Sequence, residues 1–130
     1  MHALLQLQPN KAGDFVLKLG DMLRYVLEGG KEEKVRLREE IHYIQNYIYF
    51  QKQKDENFKN ISFCYSGEAS DGYFIEPMLL IPFVENAFQH SYAVSSKNRF
   101  VKIKLNLSQG NIHFKVENSL ASQPAPNSLP

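Results

Sequence analysis

Apolar residues recur at helical spacing from Asn10 to Leu27. Phe15, Leu19, Met22 and Val26 form the row, with Val16, Leu23 and Leu27 beside it. This pattern predicts a first helix. Glu28-Gly29-Gly30 predicts its end, because glycine accepts the left-handed conformation at a helix C-terminus. The run "KEEK" that follows reads as a solvated turn. From Leu37 to Lys54, Leu37, Ile41, Ile44, Ile48 and Gln51 alternate by four and three, a seam suited to pairing with another helix. Glu39 and Glu40 open this second helix and Lys52 and Lys54 close it, as the helix dipole prefers.

The period then changes. "NISFCYS" alternates as a strand does. A third helix is predicted within "IEPMLLIPFVENAFQHSYAV", where Pro77 suits a first helical position and Pro82 is tolerated if it falls in or near the first turn. "FVKIKLNL", from Phe100 to Leu107, and "IHFKV", from Ile112 to Val116, alternate apolar and polar residues around the turn "SQGN". They predict a hairpin with one buried face. After Asn118 the Ser- and Pro-rich "SLASQPAPNSLP" reads as a loop or tail. The order is helix, helix, strand, helix, strand, strand. It predicts an α+β architecture, with helices on one face of a mostly antiparallel sheet.

Composition narrows the function classes. The chain has 130 residues, 43% of them hydrophobic and 22% charged, with a formal net charge of +1. That balance suits one domain, or a small domain with a helical extension, and gives neither a nucleic-acid footprint nor an acidic tail. Lys97, Arg99, Lys102 and Lys104 form a small basic group, but strand alternation already explains the last two as a solvated face. Cys64 is the only cysteine, which excludes an internal disulfide and fits a reducing compartment. The longest apolar stretch, Met78 to Val84, is far short of the roughly 20 residues a spanning helix needs. The start "MHALLQ" lacks the features of a signal peptide. The expectation is a soluble, intracellular segment with no direct membrane contact of its own.

The third helix carries the candidate chemistry. With Glu85 at the origin of a helical wheel, Gln89 falls near 40°, Asn86 near 100° and His90 near 140°. Phe83, Ala87, Leu80, Ser91, Val84 and Phe88 fall between about 160° and 300°. The helix should therefore lay an apolar face on a sheet and turn a polar stripe outward. Taken alone, such a stripe is what any wet helix face looks like. A metal site from His90, His113 and Cys64 has no pair at ligand spacing.

Four segments together carry more. "MLLIPFVENAFQH" resembles the N-box of the GHKL ATPase superfamily, and more narrowly the "LLLQPLVENAIKH" helix of LytS/YehU-type sensor histidine kinases. "LGDMLRYVL" is similar to that family's "LSDLLRYSL", and "RLREEIHYIQNYIYFQKQK" to its "TLEEELEHIRNYLEIQKLR". The strand pair ending in "VENS" falls where the family's nucleotide-binding sheet falls, so the resemblance runs over roughly residues 10 to 119 in register.

The resemblance implies ATP and Mg²⁺ as cofactors. Asn86 would ligate the Mg²⁺ of bound ATP, a hard cation that takes oxygen ligands and keeps several waters. Glu85 would be the catalytic carboxylate, polarising a water or the attacking imidazole or holding the metal's outer shell. His90 would lie near the phosphates, although a histidine hydrogen-bonded at a helix end reads equally well. Gln89 departs from the family, which often has lysine there. Asn118 stands nearest to the aspartate that meets the adenine amine, as a neutral amide able to accept that bond. His2, His42 and His113 do not match the family's acceptor-histidine motif, and no glycine-rich lid lies before Pro130.

The resemblance therefore implies a central fragment of a kinase core. Residues 1–57 would be a helical hairpin, the second part of a dimerisation region. Residues 58–119 would be the first half of a Bergerat-type (GHKL) ATPase α/β sandwich, and 120–130 a tail. The parent would be a membrane-anchored two-component kinase with a cytoplasmic core. It would form a homodimer and pass a phosphoryl group from histidine to a response regulator. The fragment alone would be inactive. The alternative is a non-catalytic dimerisation module with a vestigial nucleotide site, its two helices pairing between chains.

Overall fold

The computed structural model describes residues 9–95 and 97–120. Helix α1 spans Pro9–Arg24 and passes into a single π turn, Tyr25–Gly29. The short strand β1, Val35–Arg36, leads directly into α2, Leu37–Lys54. Strands β2, Ile61–Gly67, and β3, Phe74–Ile75, precede α3, Ile81–Ser91. The hairpin of β4, Val101–Ser108, and β5, Asn111–Asn118, completes the described elements.

The α2 range matches the one its periodicity and terminal charges predict. The hairpin also follows its alternation, with every second β4 residue buried. Gln109 and Gly110 both have positive φ, 52° and 79°, the pattern a two-residue type I′ turn requires. Gly67 closes β2 at φ 92°, where an added Cβ would lie 2.1 Å from the Leu107 carbonyl oxygen. Only glycine fits so close an approach to β4.

Three expectations about the elements themselves are corrected. The sheet is mixed: β2 pairs with β4 in parallel and β4 with β5 antiparallel. A crossover through α3 returns the chain in the β2 direction, and alternation alone carries no information about strand direction. Neither Gly29 nor Gly30 is left-handed; Gly30 has φ −64°, and the π turn ends α1 instead. Pro77 does not open α3. That helix begins at Ile81 with Pro82 in its first turn, and the entry is fixed by a residue forty positions upstream, Glu40. A two-residue antiparallel ladder between β1 and β3, which no local pattern announced, holds the start of α2 near the approach to α3.

One core unites the elements. It includes Val35, Leu37, Ile41, Ile44 and Ile48, then Val84, Ala87 and Phe88 of α3, and Val101, Ile103, Leu105 and Leu107 of β4. Burying each large side chain of this kind contributes roughly 1.5–3 kcal/mol. Helix α3 packs on β4 and β5 and also touches α2. The opposite sheet face, with Lys102, Lys104, His113 and Lys115, is exposed.

The seam of α2 is thus spent within the chain, which corrects the expectation that it pairs between chains. The apolar row of α1 is not so spent. Phe15 packs edge-on against Phe50 of α2, with ring centroids 4.7 Å apart, and Met22 is half-buried. Val16, Leu19, Leu23, Val26 and Leu27 are exposed.

Candidate functional site

The site is built on α3. Its first turn has unpaired backbone N–H groups, as every helix start does. Here a carboxylate from α2 meets them. Glu40 is fully buried, and its Oε2 accepts the N–H of Leu80 at 2.8 Å and of Ile81 at 3.2 Å. Its Oε1 accepts the Met78 N–H at 3.1 Å and the Tyr25 hydroxyl. The Met78 N–H also points to the Tyr25 oxygen at 3.3 Å.

At the other end of α3 an arginine does the complementary work. Arg99 Nε donates to the Ser91 carbonyl at 3.1 Å, and its Nη2 to the Val94 carbonyl at 2.8 Å. Its Nη1 donates to Asp55 at 2.8 Å, and the guanidinium stacks over the rings of Phe58 and Tyr92. Negative charge at the N-terminus and positive charge at the C-terminus both match the helix dipole. Ser91, buried at the last turn, donates to the Phe100 carbonyl at 2.9 Å and receives the Ser119 hydroxyl at 3.1 Å.

Between these clamps Glu85, Asn86, Gln89 and His90 are all exposed, while Ile81, Val84, Ala87, Phe88 and Ser91 are buried. One residue of the expected apolar face is misplaced: Phe83 is 59% exposed. It lies at the edge of the buried arc and so shares the outward side with Asn86 and His90. The charge of Glu85 is felt by Tyr43 and Tyr47 of α2, which places it on the flank of α3 that faces that helix. Asn118 ends β5 half-buried, and its amide nitrogen donates to the Ser119 carbonyl at 2.8 Å. Among the described residues, no hydrogen bond joins Asn118 to the α3 stripe. His113 sits on the exposed sheet face, and His42 on α2 lies 3.4 Å from Asp21. The His42 imidazole holds the Asp21 carboxyl below its usual range. His2 is outside the described residues.

The sequence marks Glu40 only as a first-turn acid and Arg99 only as one of a small basic group, and it marks neither them nor Tyr25 as holding α3. Glu40 did leave a signal. On the α2 wheel it falls about 40° from Ile44, within the apolar face, where an acid needs a buried partner. Asn46 is also buried, at 3% exposure, with its Nδ2 unpartnered, and nothing in the structure explains it.

Burial is the main cause that raises the phenols of Tyr25, Tyr43, Tyr47 and Tyr92. For Tyr47, burial and then the Glu85 charge push the value up to about 12. These phenols keep their protons longer folded than unfolded, so the unfolded chain binds fewer protons above the ordinary tyrosine value near 10. Stability should be undiminished by this effect below about pH 10 and fall as pH rises toward about 12. Urea unfolding followed by circular dichroism across that window checks it. A phenolate absorbance that titrates at the ordinary value while the fold persists would contradict it.

Comparison with known proteins bears on this geometry. Residues 1–58 match the family model for histidine kinase. The matched segment contains α1, the π turn and α2, and so includes both Tyr25 and Glu40. Over 113 residues, 87% of the chain, the sequence is 33% identical to Sensor protein kinase HptS of Staphylococcus aureus strain USA300. The same figures hold for HptS of strains NCTC 8325 / PS 47 and MRSA252. Each match covers 21% of the relative's length, so the chain spans about a fifth of the curated relatives it matches. Both comparisons support a sensor histidine kinase relationship. Among the described residues no helix is long and apolar enough to cross a membrane, and no cluster of three His, Cys, Asp or Glu suits a metal ion.

Proposed function

We propose that this chain is the central part of a sensor histidine kinase core. Residues 1–57 would contribute to its dimerisation region and 58–119 to a GHKL-type ATP-binding domain, whose parent is anchored in a membrane and serves a response regulator. The observation that carries the reading is the polar stripe of α3. It is exposed on a helix whose back lies on β4 and β5 and whose two ends are tied by buried charge. Similarity to HptS over most of the chain supports it.

The donor set fits a nucleotide's magnesium ion. Asn86 offers a neutral amide oxygen to solvent, a ligand type that a hard, partly hydrated cation accepts. Bound Mg-ATP would supply the transferable phosphoryl group. Asn86 would hold the metal, while Gln89 and His90, on the same exposed stripe, would lie near the phosphates. Glu85, on the flank facing α2, would orient the attacking group. The Asn118 amide nitrogen is already engaged with Ser119, so its oxygen would meet an adenine amine.

A second reading has its own observation. The exposed Leu19 and Leu23 of α1 and Val26 of the π turn suit a second copy of the chain, as a dimerisation module requires. One set of samples tests both. Mg-ATP titration, with light scattering on the same solutions, should show nucleotide binding that requires Mg²⁺ and drops at least tenfold in Asn86→Ala. A dimer with no nucleotide response in either protein would instead favour the non-catalytic module.

A further inference from the structure

Tyr25 is the first residue of the π turn that closes α1, yet its hydroxyl reaches the entry of α3. It donates to Glu40, and Glu40 gathers the N–H groups of Met78, Leu80 and Ile81. Met78 has φ 61°, a conformation that residues other than glycine seldom take and that persists only where the surroundings over-determine it. The phenol and the carboxylate supply that determination. Gly29 lies beneath the phenol: a Cβ there would stand 3.0 Å from two Tyr25 ring carbons. The backbone of the π turn therefore sets where the ring rests. A rigid helix transmits displacement along its length, and Asn86 is about one and a half turns from Ile81.

We propose that Tyr25 and Glu40 form a latch through which the end of α1 sets the placement of α3, so that nucleotide affinity at Asn86 depends on the π turn holding Tyr25 on Glu40. Both are positioning residues that act through α3. The latch links the histidine-kinase segment to the candidate nucleotide helix by side chains, not only by the connecting chain. Its nucleotide consequence rests on the function proposed above, whereas its structural consequence does not.

The test uses the isotope-labelled full chain and two small changes. Tyr25→Phe removes only a hydroxyl, and Gly29→Ala places a methyl group under the ring. Tyr73→Phe, which removes a hydroxyl bonded to Glu68, is the control. The two latch variants should move the Met78, Leu80 and Ile81 amide resonances. They should also move the side-chain amide resonances of Asn86 and Gln89 in a common direction, with β5 amides unmoved. The control should leave α3 unchanged. Mg-ATP affinity should fall about fivefold in both latch variants. Unmoved Asn86 and Gln89 side chains, shifts spread evenly into β5, or unchanged affinity in a chain that binds Mg-ATP would each overturn the proposal. If the unaltered chain binds no Mg-ATP, the nucleotide reading fails, and the latch is then decided by the resonances alone.

Discussion

Glu40→Ala should lower the stability of the chain by about 3–5 kcal/mol, read as a shift in urea midpoint at unchanged slope. The substitution strips the partner from the N–H groups of Leu80 and Ile81 and weakens the holding of Met78 and of the Tyr25 hydroxyl. Each buried group left unsatisfied costs roughly 1–3 kcal/mol, and the relief of no longer burying a carboxylate offsets part of the sum. Against the roughly 5–15 kcal/mol of a typical domain, this is a large share. Glu39 separates the explanations. It also lies in the first turn of α2 and is exposed. If a favourable helix dipole were the whole role of these acids, Glu39→Ala and Glu40→Ala would cost about the same, each within about 1 kcal/mol. Glu40→Gln should fall between, because an amide oxygen still accepts while its NH₂ faces backbone donors.

The same residue shows why part of this structure was legible in the sequence and part was not. Helix α2 was readable because Leu37, Ile41, Ile44 and Ile48 share one face and lysines close its end. The β4–β5 hairpin was readable because alternation and a Gln-Gly turn are local features. The polar and buried faces of α3 also followed the wheel, apart from Phe83 at the edge of the arc. The start of α3 was not readable. Two prolines offered two local stops, and the choice was made by Glu40, forty residues away. The parallel pairing of β2 with β4 is likewise a long-range fact, since a strand with one buried face looks the same in either direction. The π turn left no sequence mark beyond its glycines, whose ordinary meaning is a left-handed cap. In the candidate site, the stripe Glu85, Asn86, Gln89 and His90 was legible as a stripe. The clamps that hold it were not, because they come from the π turn, α2 and the approach to β4.

Arg99→Met should cost about 2–4 kcal/mol in urea unfolding, with the thioether side chain retaining part of the packing. The arginine is 11% exposed at its side chain, whereas its partner Asp55 is 27% exposed. Removing the arginine leaves the carbonyls of Ser91 and Val94 without their guanidinium donor and strips a cation from the faces of Phe58 and Tyr92. Asp55→Ala removes only one of these contacts, from a side chain that water can reach. It should cost about 1 kcal/mol. The double variant should then fall short of additivity by about 1 kcal/mol, the coupling of the pair. Arg99→Lys keeps the charge but lacks the planar fork that serves two carbonyls and a carboxylate together, so it should recover less than half of the loss. Equal costs for Arg99→Met and Asp55→Ala would mean that the ion pair alone matters. The larger arginine cost expected here would instead place the stabilisation in the capping of α3, at the end of the helix that carries Gln89 and His90.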